Sequence, residues 1–138
     1  MAAPAVRVGL IGAGEMGSAL GALLVQAGHA VRSVLAGRSA RTRARARAAG
    51  IHGADSPAAL LDWAQVLACV VPPGAARAAA DQYAGAGLRA GQVYVDLNAI
   101  APATAAGIAG VIGAAGAVFV DGGIIGPAPR ERAQARLY

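Results

Sequence analysis

The sequence has no lysine at any of its 138 positions, and only one cysteine, one tryptophan and one phenylalanine. Each shortage excludes something. One cysteine cannot form an intrachain disulfide. Cys69 lies inside an apolar run, so it reads as a small buried hydrophobe in a reduced compartment. With aromatics at 4%, the core must be built from Val, Ile, Leu and Ala, as in a parallel sheet covered by helices on both faces. No apolar run reaches the roughly 18 residues of a membrane span. The segment Met1-Ala2-Ala3-Pro4-Ala5 lacks the apolar region of a secretory signal. A cytoplasmic location with no membrane partner is expected, and no metal site.

Acidic residues are also few, 7 against 12 arginines, for a net charge of +5. Five arginines fall between Arg38 and Arg47. Arg41, Arg43, Arg45 and Arg47 are spaced by two, which spreads them around a helix instead of forming one stripe. No aromatic is interleaved for base stacking, so nucleic acid is not the expected partner. A small molecule is.

What is present is concentrated in Val6-Arg7-Val8-Gly9-Leu10-Ile11-Gly12-Ala13-Gly14-Glu15-Met16-Gly17. A short apolar run feeds a G-x-G-x-x-G turn, and a helix-forming segment follows. Gly12 permits the tight turn, Gly14 lets a pyrophosphate approach the backbone, and Gly17 lets the helix pack closely on the strand. The free N–H groups and positive end of that helix then face the phosphates. This pattern predicts dinucleotide binding.

Strands and helices alternate along the rest of the chain. Strands are expected at Arg7 to Ile11, Val31 to Ala36, Ile51-His52, Val66 to Val71, Val93 to Leu97 and Val118 to Asp121. Helices are expected at Met16 to Ala27, Ala40 to Ala49, from Pro57 behind a Ser56 cap, from Pro73 to about Tyr83, and at Pro102 to Ala109, the last weakened by Gly107 and Gly110. Gly85 to Gly91 reads as a loop. The fold class is α/β, a doubly wound, mainly parallel sheet in one domain spanning residues 1–138. Ligands of such sheets sit at the carboxyl ends of the strands, where loops begin at Gly12, Gly37, Pro72, Asn98 and Gly122. Asp96 and Asp121 end strands at that edge and are expected to cap backbone or face solvent. His29 and His52 lie away from it.

The second strand decides between cofactors. NAD binders carry an acidic residue at its end, to hold the ribose 2′-hydroxyl. Here Leu35-Ala36-Gly37-Arg38-Ser39 stands there, and no acidic residue occurs between Glu15 and Asp55. Arg38 can pair with a 2′-phosphate through two parallel N–H bonds, Ser39 can donate another, and Arg43 is a further candidate. The expected cofactor is NADP, with NAD the weaker alternative; an ordinary surface arginine is the competing reading of Arg38.

These residues resemble the cofactor domain of the β-hydroxyacid dehydrogenases, the group of 3-hydroxyisobutyrate and 6-phosphogluconate dehydrogenases. The anchors are the Gly9–Gly17 run, Gly37-Arg38-Ser39, Val70-Val71-Pro72-Pro73, Val95-Asp96-Leu97-Asn98 with Pro102, and Phe119-Val120-Asp121-Gly122-Gly123-Ile124-Ile125-Gly126-Pro127. The resemblance implies a Rossmann NAD(P)-binding fold in which Gly12, Ala13, Gly14, Glu15, Met16 and Gly17 bind pyrophosphate. It implies that Arg38 and Ser39 hold the 2′-phosphate, that Val71 and Pro72 line the adenosine and ribose side, and that Asn98 lies close to the nicotinamide. The residues alone equally allow Asn98 to cap the next helix, and Pro72-Pro73 to be a rigid helix entry.

Two departures matter. Where the family often carries Ser-Gly-Gly against the substrate carboxylate, this chain has Ile125-Gly126-Pro127. Gly123, Ile125 and Gly126 are the candidate substrate positions, and the lost serine implies a bulkier or less polar substrate, as in related imine reductases. The family also uses a lysine from a helical domain beyond the cofactor domain. This chain has no lysine, so no catalytic residue is assigned within it. It is expected to be truncated near its C-terminal end and to lack that helical domain, leaving an apolar surface exposed; a homodimer is expected only in a full-length form. The implied function is an NADP-dependent oxidoreductase, acting on a small hydroxy-acid, carbonyl or imine and present as its cofactor half. The alternative is a non-catalytic dinucleotide-binding or regulatory module.

Overall fold

The computed structural model describes residues 4–125 and 136–137. Strands β1 (Arg7–Ile11), β2 (Ala30–Val34), β3 (His52–Ala54), β4 (Val66–Cys69), β5 (Val93–Asp96) and β6 (Val118–Asp121) form one parallel sheet. Its order is β3-β2-β1-β4-β5-β6. Helices α1 (Glu15–Gln26), α2 (Ala40–Ala48), α3 (Pro57–Trp63), α4 (Ala76–Ala86) and α5 (Pro102–Ala114) lie between the strands. A second, antiparallel pair joins β7 (Ile124–Ile125) to β8 (Arg136–Leu137). The order reverses at β1, where the chain leaves for β2 on one side and β4 on the other. A crevice therefore opens above the carboxyl end of β1.

Strand alternation sorts the apolar residues into two cores. On one face Ile11, Leu67, Cys69 and Tyr94 pack with Leu60 and Leu61 of α3, Ala80 and Tyr83 of α4, and Ile108 and Ile112 of α5. On the other, Val8, Leu10, Val31 and Ala68 pack with Ala46 of α2 and the half-buried Leu20 and Leu24 of α1. The arginine-rich α2 turns Thr42 and Ala46 inward. Arg41 and Arg45 lie on one flank of that seam and Arg43 and Arg47 on the other, as their spacing requires. Val118 and Val120 of β6 remain 57% and 43% exposed.

Several boundaries differ from the sequence expectation for physical reasons. Helix α5 runs to Ala114 instead of ending near Ala109. Ala105, Ile108 and Ile112 bury one face, and that packing outweighs the poor propensity of Gly107 and Gly110. A Cβ on Gly107 would meet only the end of the exposed Arg77 side chain, which can move aside, so packing does not require glycine there. Pro73–Ala75 is a separate 3-10 turn, and α4 starts at Ala76 and continues through Gly85 to Ala86. The third strand falls at His52–Ala54, and β4 stops at Cys69. Ser56 does cap α3, its hydroxyl accepting the Ala59 amide at 3.1 Å.

The ends of β4 and β5 are tied by a buried polar chain. Asp96 is wholly buried and does not face solvent, but it does cap backbone, as expected. Its Oδ1 accepts the Asn98 amide at 2.8 Å. Asn98 Oδ1 in turn accepts the Val71 amide at 2.9 Å, across the gap between strands. Helix α5 is capped at Ala101, so Asn98 is a bridge and not a cap. Asp96 Oδ2 has no hydrogen-bond partner among the described residues. Burial pushes the Asp96 carboxyl above the usual carboxylate range; the Asn98 hydrogen bonds oppose this, and Asp121 on β6 adds to it.

A raised folded-state pKa has a definite sign. Between the ordinary value of 3.8 and the raised one, the folded chain holds a proton that the unfolded chain has lost. Stability from this group is therefore full below about pH 4 and declines as pH rises through the folded value. Asp96→Asn retains an oxygen for the Asn98 amide and cannot ionise. Its melting temperature should match the parent's near pH 4 and exceed it increasingly as pH rises toward 7, as followed by circular dichroism.

Candidate functional site

The turn from β1 into α1 is set by close main-chain approach. Gly12 has φ +94°, and a Cβ there would strike the Val70 carbonyl oxygen. A Cβ on Gly17 would strike the Gly12 carbonyl oxygen. Ala13 is buried, and its carbonyl accepts the Ser18 hydroxyl at 2.8 Å. The loop is thus pinned beneath the first turn of α1. Gly14 occupies the N-cap, with no side chain capping the helix. Ser18 N is the first amide to find an intrahelical acceptor, the Gly14 carbonyl at 2.8 Å. The amides of Glu15, Met16 and Gly17 precede it and lack intrahelical acceptors. Nothing lies within 4 Å of where a Gly14 Cβ would stand. Open space over a bare main chain, beside uncapped amides at a positive helix end, fits a diphosphate. Glu15 is exposed and Met16 half-buried at its rim.

A cleft of about 380 Å³ adjoins this turn. The ends of β1 and β2 form its floor through Leu10, Gly12, Ser33 and Val34. Val71 lies on one wall, and Arg38 borders the cleft. Arg38 sits in a tight turn, its amide donating to the Leu35 carbonyl at 3.1 Å with Gly37 at φ +76°. Arg43 Nη1 donates to the Arg38 carbonyl oxygen. The Arg38 guanidinium itself has no ion pair or hydrogen bond among the described residues. Ser39 caps α2, its hydroxyl oxygen accepting the Thr42 amide at 3.1 Å and its proton directed to Thr42 Oγ1 at 3.1 Å. The remaining wall comes from Pro57 and from Ala75, Ala78, Ala79, Gln82 and Tyr83 around α4. Sequence reasoning missed this wall. Its signal was the 75, 78, 79, 82 spacing, which places those residues on one helix face.

Across the turn, Asn98 and Val71 are fixed by the bridge already described, and Pro72 is exposed. Asn98 Nδ2 also lies 3.7 Å from Cys69 Sγ. Burial pushes the Cys69 thiol up, and Tyr83 to about 12. Gly122 donates its amide to the Asp96 carbonyl at 2.8 Å, so the loop after β6 is anchored to the same strand end. Gly123 is half-buried there; Ile125 lies in β7, and Gly126 falls outside the described residues.

The histidines stand apart. His29 Nδ1 accepts the Val6 amide at 3.0 Å, at the amino end of β1, and His52 is exposed on β3. No group of three or more His, Cys, Asp or Glu able to hold a metal occurs among the described residues. No helix there is long and apolar enough to cross a membrane.

The solved structures that resemble this fold share its architecture at low identity. The Mycobacterium tuberculosis 3-hydroxyisobutyrate dehydrogenase superposes with a TM-score of 0.81 at 22% identity, over 91% of this chain and 42% of its own. The conserved protein MTH1747, of unknown function and structurally similar to 3-hydroxyacid dehydrogenases, gives 0.80 at 35% identity, over 96% and 48%. Among curated proteins, the cytokine-like nuclear factor N-PAC of Xenopus tropicalis is 31% identical over 123 residues, 87% of this chain and 23% of that one. The chain thus spans less than half of each of these relatives. Residues 7–135 match the model of the NAD-binding domain of 6-phosphogluconate dehydrogenase, and the chain belongs to that family.

Proposed function

We propose that this chain is the cofactor-binding half of an NADP-dependent oxidoreductase. One observation carries the proposal: a bare main-chain cradle at Gly12–Gly17 stands beside a cleft bordered, in the turn after the second strand, by the Arg38 guanidinium, which is unpaired among the described residues. The cradle takes the diphosphate. Arg38 takes the 2′-phosphate, with Arg43 one helical turn behind it holding the Arg38 carbonyl. Ser39 supports that site chiefly by starting α2, because its hydroxyl is already engaged with Thr42. Val71 and Pro72 border the riboses, and Asn98 positions them through the Val71 amide.

The cofactor, when bound, supplies or accepts the hydride. The chain's residues orient it and shield one side of it. The loops at Asn98 and Gly122–Gly123 flank the nicotinamide position, and no residue of this chain is assigned the proton transfer. With Ile125-Gly126-Pro127 where a serine would hold a carboxylate, the substrate class is a small carbonyl, imine or hydroxy-acid compound with a less polar substituent. The cytoplasm, a small-molecule partner and a homodimer of the full-length protein complete the reading. The split of the α2 arginines across two flanks supports no role for nucleic acid.

Nicotinamide fluorescence titration tests both halves of the site. Arg38→Ala should weaken NADPH by about 10- to 100-fold, the worth of charge-assisted hydrogen bonds to phosphate, and NADH by less than about twofold. Equal losses would reject the 2′-phosphate role. Gly17→Ala should abolish binding of both nucleotides together, because its methyl group displaces the Gly12 carbonyl. Undiminished binding would reject the cradle.

A further inference from the structure

The cleft beside the cradle is poor in polar side chains. Val34, Pro57, Val71, Ala75, Ala78 and Ala79 present apolar surface, a slot suited to a flat ring. Ser33 has its hydroxyl committed to the Leu10 carbonyl at 2.6 Å. Tyr83 is 4% exposed and packs into the interior cluster. Arg38 carries a charge suited to phosphate. That leaves Gln82, an exposed residue of α4, with a carboxamide that forms no hydrogen bond among the described residues.

A carboxamide offers one acceptor and one donor edge in a single plane. Adenine offers the complement: an exocyclic amine that donates, next to a ring nitrogen that accepts. The pair closes two hydrogen bonds at once. Hypoxanthine carries a carbonyl where adenine has the amine. On the N6/N7 edge, the one read by Gln82, the 6-oxo form presents two acceptors, O6 and N7, so whichever way the carboxamide turns one of the two bonds is lost. The other neutral polar side chains of the lining are not available in this way, because the Ser33 hydroxyl proton is engaged with the Leu10 carbonyl and Tyr83 is buried.

We propose that Gln82 reads the purine edge of the dinucleotide and selects adenine over 6-oxopurines. This rests on the dinucleotide reading above and adds a base-specificity residue that acts independently of Arg38. The Gly12–Gly17 cradle and Arg38 hold the phosphates whatever the base; Gln82 sets which base the slot accepts.

The test is a fluorescence titration of the 138-residue chain with NADPH and with its deamino form, in which hypoxanthine replaces adenine. The parent should bind NADPH about tenfold more tightly than the deamino form, the discrimination expected of a lost bidentate contact. Gln82→Leu should bring the two nucleotides within about twofold of each other by weakening NADPH. The NADPH-to-NADH preference should be unchanged. Because Gln82 is exposed, the variant keeps its fold, and a circular dichroism melt matching the parent's verifies this. A parent without base preference, or a Gln82→Leu variant that retains it, overturns the proposal while leaving the dinucleotide reading intact. A parent that binds neither nucleotide overturns both.

Discussion

Main-chain contact between Gly12 and Gly17 is the constraint on which the site depends. The first turn of α1 rests directly on the carbonyl of Gly12, the residue that follows β1, with no side-chain atom between them. That contact aims the helix axis at the crevice above β1. It also leaves the uncapped amides of Glu15, Met16 and Gly17 facing open space over Gly14. Buried amides without partners would be destabilising. Here open space lies beside the first of them, over Gly14, where solvent can reach the helix end. The Ser18 hydroxyl on the Ala13 carbonyl holds the loop from below.

A parallel sheet brings the other parts together. Every strand of the main sheet points the same way, so the loops after β1, β2, β4, β5 and β6 emerge along one edge. Side-chain hydrogen bonds then set their heights. Asp96 holds Asn98, Asn98 holds Val71, and the Asp96 carbonyl holds Gly122. Three loops from β4, β5 and β6 are therefore registered against one strand end. Burial raises the pKa of the carboxyl at its centre, and the hydrogen bonds with Asn98 oppose that rise.

The parts legible in the sequence were those governed by local rules. The G-x-G-x-x-G turn, the Ser56-Pro57 helix start and the strand-helix alternation depend on neighbouring residues, and they stand where the pattern put them. The extent of α5 depends on Ile112 reaching a core assembled from distant strands, which glycine propensity alone cannot reveal. Asn98 and Val71 are 27 positions apart, so their bond follows from adjacency of β4 and β5 and from nothing local. Cleft residues on α4 were missed for the same reason. Alanines at 75, 78 and 79 have no chemistry that a motif could record, and they matter only because the sheet order sets that helix beside the β1 crevice.

The composition acquires a meaning against this geometry. On the proposed dinucleotide reading, a cleft walled by alanine and valine would hold a ring by surface contact, which gives affinity with little selectivity. Selectivity must then reside in the few polar groups at its margins. Arginine suits one margin, because its planar fork can form two bonds to a phosphate where lysine offers a point charge. The acid-free stretch from Met16 to Ala54 is consistent with the proposed role of Arg38. A carboxylate near Arg38 would compete with a phosphate for the guanidinium. Without one, the Arg38 guanidinium at the border of the cleft has no carboxylate partner among the described residues, which is what the proposed 2′-phosphate role requires.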